Sequence, residues 1–483
     1  MNKKRIVIWI LLLCLILGCC AFLGWRIYYH ATYIYINDVR YLRAETQLDL
    51  SEQGYPELAA ITQMENLQLL DLRGTGLTAD DYDLLCQALP DCRILWDIPF
   101  QGCYYDENTS HLTVTELNAE DLEQLAYFKQ LREINAESCR NYEAILDLQT
   151  HYPGCKVTYF VRIGGEAYGQ DTTDLIVDSP VMEEIELALK YLTKLRYLHL
   201  SGELPTAEEL NRLVSTYPNT EITWEKTVCG VSFLSNATEM DISDIPVESV
   251  ETVESVLGYF PQLERVIMCR CGIPSAEMDA LNKRHDNIRF VWSVFVGTAE
   301  LRTDVTVFMP YQYGYAGTNK MKDEHTAELK YCTDLVALDM GHMYISDISF
   351  LYHMPNMKYL ILAETFITDI TPVGSLKELV YFEMFITNVT DFSPLLGCTK
   401  LEDLNMCWTW PANLEVLKDL PNLKNLWLVG AYYPQSALQQ VQEAHPNATY
   451  AVAERGSSTG RGWRQLPNYF AQRDLLNMGY MTG

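Results

Sequence analysis

Leu335, Met357, Leu379, Leu401 and Leu423 stand 22 residues apart, and that interval constrains the chain more than any other feature. The same offsets recur in each unit, giving "LVALDM", "MKYLIL", "LVYFEM", "LEDLNM" and "LKNLWL". Aliphatic residues fall at Leu360, Leu362, Ile367, Ile370, Val373, Leu376 and Leu379, which follows neither the two-residue beat of a strand nor the 3.6-residue beat of a helix. A period of roughly 20 to 29 residues instead marks a unit that makes one short strand and returns by an arc, advancing one strand spacing of about 4.8 Å. No such unit buries its apolar side alone, so neighbours must stack.

The earlier half repeats more slowly. Leu67, Leu131, Leu195 and Leu263 open "LQLLDL", "LREINA", "LRYLHL" and "LERVIM" at intervals of 64, 64 and 68 residues. A helical stretch follows each, then a second strand signal, as in "PDCRILW" and "PNTEITW", that runs on toward Gly102, Gly165, Gly230 or Gly297. A third short apolar segment ("HLTVTEL", "TDLIVDS", "TEMDISD") leads into the next unit. Three strands per unit predict rungs of about 21 residues with three alternating kinds of arc. In "TADDYDLLCQALPDC" the pattern is helical, with Thr78 as cap, aspartates in the first turn, and Tyr82, Leu85 and Leu89 spaced by three and four.

The L-x-x-L-x-L openings, with "ISDISFL" and "ITDITPV" after the strand, resemble the short leucine-rich repeats of internalin-like bacterial surface proteins over residues 335 to 428. That resemblance implies an α/β leucine-rich-repeat solenoid, with a parallel sheet on its concave face and helices and loops on its convex face. One position departs from the pattern. Where such repeats carry Asn or Cys after the last strand leucine, this chain has Met343, Thr365, Thr387 and Thr409, and a hydroxyl offers fewer hydrogen bonds than an amide.

Around the repeats the chain divides into an N-terminal tip and anchor (1–30), degenerate repeats in ~64-residue units (31–297), an irregular junction rich in Gly, Pro and Tyr (298–330), regular repeats (331–452), and a polar linker with a C-terminal segment (453–483). The C-terminal segment is expected to cap the last rung, or else to dock a partner. Residues 6–25 carry no charge and match the ~20 residues that span a bilayer. Lys3, Lys4 and Arg5 precede them, which predicts a cytoplasmic N-terminus and an extracytoplasmic body held by one transmembrane helix. "ILGC" at 16–19 offers lipid attachment at Cys19 as an alternative.

A formal charge of -28, from 64 acids against 36 bases, repels phosphate polymers, so no nucleic-acid partner is expected. Of fourteen cysteines, Cys14, Cys19 and Cys20 lie in the anchor. The remaining eleven cannot all pair within the chain. Cys92 and Cys155 occupy matching repeat positions and read as small buried hydrophobes, and Cys269-Arg270-Cys271 lacks a second pair for a metal. No metal or other cofactor is expected. Motifs of zinc hydrolases, serine hydrolases and phosphate-binding loops are missing, so no catalytic residue is assigned.

Binding has the stronger case. Residues flanking the inner leucines alternate to the concave face and bring Tyr359, Tyr381, Glu383, Phe385, Asp403, Asn405 and Trp427 onto one surface. Aromatics among acids suit a protein or glycan ligand. An inert face on an envelope scaffold, with contacts made by the arcs and tail, is the competing expectation; an unrecognised surface hydrolase is a third.

Overall fold

In the computed structural model, residues 3–452, 459–460 and 462–478 are described. They fall into two compact units, one of residues 1–205 with 213–222, the other of 206–212 with 223–483.

The first unit opens on the helix Lys3–Thr32, in which Val7–Thr32 is long and apolar enough to cross a membrane. Its last carbonyls are met by the segment that follows: the Arg43 amide donates to the Thr32 carbonyl at 2.9 Å, and Arg43 Nε donates to the His30 carbonyl at 2.8 Å. These bonds satisfy acceptors that a helix end otherwise leaves to water. Parallel ladders follow. Gln47–Asp49, Leu69–Asp71 and Arg93–Leu95 form one, and His111–Thr113, Glu133–Asn135 and Lys156–Thr158 the next. Asp174–Asp178 and Tyr197–Ser201 begin a third. The helix Ala79–Ala88 starts at Thr78, whose hydroxyl accepts from the Asp81 amide while the Asp81 carboxylate accepts from the Thr78 amide, so two orphan donors are satisfied at once.

Between the ladders lie antiparallel hairpins, which correct the expectation of a uniform 21-residue rung. Asp97–Phe100 pairs with Cys103–Asp106, and Phe160–Ile163 with Glu166–Gly169. In the second unit Glu225–Val228 pairs with Val231–Leu234, and Ser293–Val296 with Ala299–Arg302. The segments that run toward Gly102, Gly165, Gly230 and Gly297 therefore turn back on themselves. Two-residue turns with positive φ at both positions, as at Gln101 (48°) and Gly102 (76°) or Cys229 (49°) and Gly230 (85°), match the twist of paired antiparallel strands.

The second unit continues with the parallel ladder Glu239–Asp241, Arg265–Ile267, Arg289–Val291 and ends in a seven-stranded parallel sheet. Its strands are Val307–Phe308, Ala337–Asp339, Tyr359–Ile361, Tyr381–Glu383, Asp403–Asn405, Asn425–Trp427 and Thr449–Ala451, in chain order. The span 298–330 is thus only partly irregular, because it supplies a hairpin strand and the first strand of this sheet. Leu360, Leu362, Ile367, Ile370, Val373, Leu376 and Leu379 are all at most 1% exposed, which accounts for their uneven spacing: strand and arc face a common core from different sides. Each such side chain contributes about 1.5–3 kcal/mol by leaving water.

The arcs have their own chemistry. Asp347, Asp369 and Asp391 accept from the amides of Ser349, Thr371 and Ser393 at 2.7–2.9 Å, and so start the 3₁₀ turns of "ISDIS", "ITDIT" and "VTDFS". Thr365, Thr387 and Thr409 are buried, and each hydroxyl donates to the carbonyl three residues earlier at 2.6–2.8 Å. That bond stays inside one rung.

Candidate functional site

Register fixes the concave surface of the seven-stranded sheet. Tyr359, Tyr381, Asp403 and Asn425 align in one row, and Asp339, Ile361, Glu383, Asn405 and Trp427 in the next. Tyr359 and Tyr381 are neighbours, with ring centroids 6.4 Å apart. Each of these strands from Ala337–Asp339 onward is only three residues long, so the alternation of a pleated strand brings these side chains to one side while Leu360, Phe382, Leu404 and Leu426 enter the core.

This surface is not open. The turn Trp463–Gln465 and the helix Pro467–Leu475 pack onto it. Trp463 is fully buried, with its ring centroid 5.2 Å from those of both Tyr381 and Trp427. Its Nε1 donates to Tyr381 Oη and to Glu383 Oε1, each at 2.9 Å. Trp427 Nε1 donates to the Gly460 carbonyl at 3.0 Å, and Asn468 Nδ2 to Asp403 Oδ2 at 3.0 Å. At the far end Gln312 Nε2 donates to the Leu476 carbonyl at 2.9 Å, and Leu476 packs with Met309 and Ala337.

Six of the seven expected contact residues, Tyr381, Glu383, Phe385, Asp403, Asn405 and Trp427, are consequently buried, and Tyr359 is half-buried. The C-terminal segment, expected over the last rung, lies instead across the faces of several rungs. Of the polar linker before it, residues 453–458 and 461 lie outside the described residues. Sequence reasoning missed Trp463, Asn468 and Tyr469 as partners of the concave face. The available signal was Pro467 opening a helix, with Trp463, Leu466 and Tyr469 spaced by three before it and into it.

Burial sets the electrostatics. It pushes the carboxyls of Glu383, Asp403 and Asp339 up from their ordinary range, against hydrogen bonds that favour the charged form. Burial also holds the Tyr381 phenol well above its usual value, with the Glu383 charge adding to the effect. The Tyr381 hydroxyl donates to Glu383 Oε1, so that carboxyl receives both a phenol and an indole donor. Beside the tail a cavity of about 820 Å³ remains. The sheet contributes Asp339, Glu383 and Phe385 to its lining, and the tail contributes Arg464, Tyr469 and Gln472. Among the described residues no cluster of three His, Cys, Asp or Glu side chains is arranged for a metal.

The fold and this face define a leucine-rich-repeat protein. Neither a family model nor a curated protein matches the chain. Among solved structures it is similar to internalin C2 of Listeria monocytogenes (21% identity over 28% of this chain and 70% of that one, TM-score 0.21). It is also similar to a second Listeria internalin (13%, 87% and 91%, 0.24) and to a leucine-rich-repeat protein of Leptospira interrogans (14%, 84% and 96%, 0.27). The repeat assignment rests on the 22-residue ladder itself.

Proposed function

We propose that this chain is a membrane-anchored, extracytoplasmic binding protein whose concave face, in the second unit, takes a protein segment in the seat that its own C-terminal segment fills. Tyr359, Tyr381, Glu383, Phe385, Asp403, Asn405 and Trp427 form the floor of that seat. The observation that carries the reading is Trp463, an indole held between two aromatic rings with its N–H on a phenol and a carboxylate. Buried aromatic anchors of this kind dominate protein interfaces, and Asp403 with Asn468 adds a polar contact that fixes register. A peptide group suits the seat better than a sugar does, because its floor already pairs with indole, amide and backbone carbonyl groups.

The test uses the full chain in detergent and a labelled synthetic peptide of residues 459–478. Trp463→Ala should free the seat, so that this variant captures the peptide while the unaltered chain captures at least tenfold less. Capture by neither protein would favour the second reading, an envelope scaffold whose concave face is permanently closed. The full burial of Trp463 is the observation on that side.

A further inference from the structure

The cavity beside the tail is lined by ionisable groups that differ in what already satisfies them. Asp339 Oδ1 accepts from the Gly341 amide at 2.8 Å, Glu383 accepts from Tyr381 and Trp463, and Glu364 pairs with His342 at 3.0 Å. The acids are therefore supplied with donors. The cations Arg464 and Lys320 are half-buried on the same cavity; Arg464 acts on Glu383 only through its charge, and neither side chain makes a direct hydrogen bond or ion pair among the described residues. Gln472, which also lines the cavity, is 1% exposed, and neither its carboxamide oxygen nor its nitrogen has a hydrogen-bond partner. A buried group of this kind is uncommon in a folded protein and calls for a partner. Ile361, Phe385 and Tyr469 supply apolar wall, and the volume lies within the ~300–1,000 Å³ range of ligand pockets.

A ligand that completes this site carries an anion for Arg464 and Lys320, a group that both donates and accepts for Gln472, and a small apolar side chain for the aromatic wall. A peptide group followed by a terminal carboxylate meets all three requirements. We propose that the cavity binds the C-terminal end of a short peptide, and that its occupancy holds the tail helix on the sheet. The second half rests on the displaceable-tail reading above; the first half does not. Arg464, Tyr469, Gln472 and Arg473 belong to the tail while Asp339, Ile361 and Phe385 belong to the sheet, so a ligand touching both binds only the docked state. By linkage it favours that state in proportion to its occupancy and opposes any partner that needs the seat.

The test is calorimetry on the full chain in detergent with three probes: the tripeptide Ala-Ala-Ala, the same tripeptide amidated at its C-terminus, and N-acetylglucosamine. The free carboxylate should bind at least tenfold tighter than either other probe, and Arg464→Gln should remove that advantage. Gln472→Leu should weaken the tripeptide several-fold while leaving the tail docked, because it removes two unpartnered polar atoms instead of creating any. Hydrogen exchange of the amides in residues 463–478 should slow when the tripeptide is bound. Equal heats for the free and amidated forms, a preference for the sugar, or no effect of Arg464→Gln would overturn the ligand assignment. Tight binding without slower exchange would overturn the holding role. Failure of Trp463→Ala to capture the tail peptide changes none of these heats, so the two readings fail separately.

Discussion

At the scale of single residues, Trp463 and Glu383 join the tail to the sheet through one indole N–H. Trp463→Ala removes two hydrogen bonds and a buried indole, a loss on the order of 3–5 kcal/mol for a core aromatic. That loss falls on the docking of a short segment, so the expected result is local release: faster proteolysis within residues 453–483, with the thermal unfolding of the repeats little changed. For Glu383 the sign follows from burial, which raises its carboxyl in the folded chain. A raised carboxyl adds stability below its unfolded value near ~4.3 and loses that contribution as pH rises through the folded value. Glu383→Gln should therefore gain stability relative to the unaltered chain as pH rises above the unfolded value, measured as the difference in urea midpoints. A difference constant with pH would return the carboxyl to its ordinary range. The concave rows were legible in sequence because two-residue alternation assigns a face to every strand residue. Trp463 was not, because its contacts with Tyr381 and Glu383 span 82 and 80 residues and follow no period.

At the scale of elements, the rungs are held together by close approach as much as by apolar burial. Gly374 and Gly397 sit in successive 3₁₀ turns, and a Cβ on Gly397 would lie 2.0 Å from the Gly374 carbonyl oxygen. Gly397→Ala should cost about 1–3 kcal/mol by forcing the turns apart, read as a lower urea midpoint. A left-handed residue also recurs once per rung, at His342, Glu364, Ile386, Trp408 and Gly430. The branched Ile386, at φ 56° and exposed, suits that conformation least, so Ile386→Asn should raise stability by about 1 kcal/mol. The period was visible in sequence, but this conformation was not, since only one of the five positions holds glycine. The hairpins were half legible. Their glycines stand out in the sequence, yet a strand signal followed by two turn residues reads the same whether the chain continues or reverses, and only pairing decides.

At the scale of the whole molecule, the proposal of an extracytoplasmic body can be tested through its cysteines. Among the described residues none of the fourteen forms a disulfide. Burial pushes the thiols of Cys332, Cys398 and Cys407 up to about 12, so they are almost wholly protonated near neutral pH and shielded from solvent, and a thiolate-seeking reagent has little to attack. Cys103 is exposed on a hairpin of the first unit. Cys14, Cys19 and Cys20 lie in the apolar helix, where a bilayer would screen them from a charged reagent. A membrane-impermeant maleimide applied to intact cells should therefore modify Cys103 and spare Cys332, Cys398 and Cys407, as read by mass spectrometry of the recovered chain. Denaturation before labelling should expose all of the body thiols. If Cys103 is modified only after the membrane is opened, the body lies on the cytoplasmic side. Its partners would then have to be sought there, because an impermeant reagent reports the side of the membrane independently of what the concave face binds.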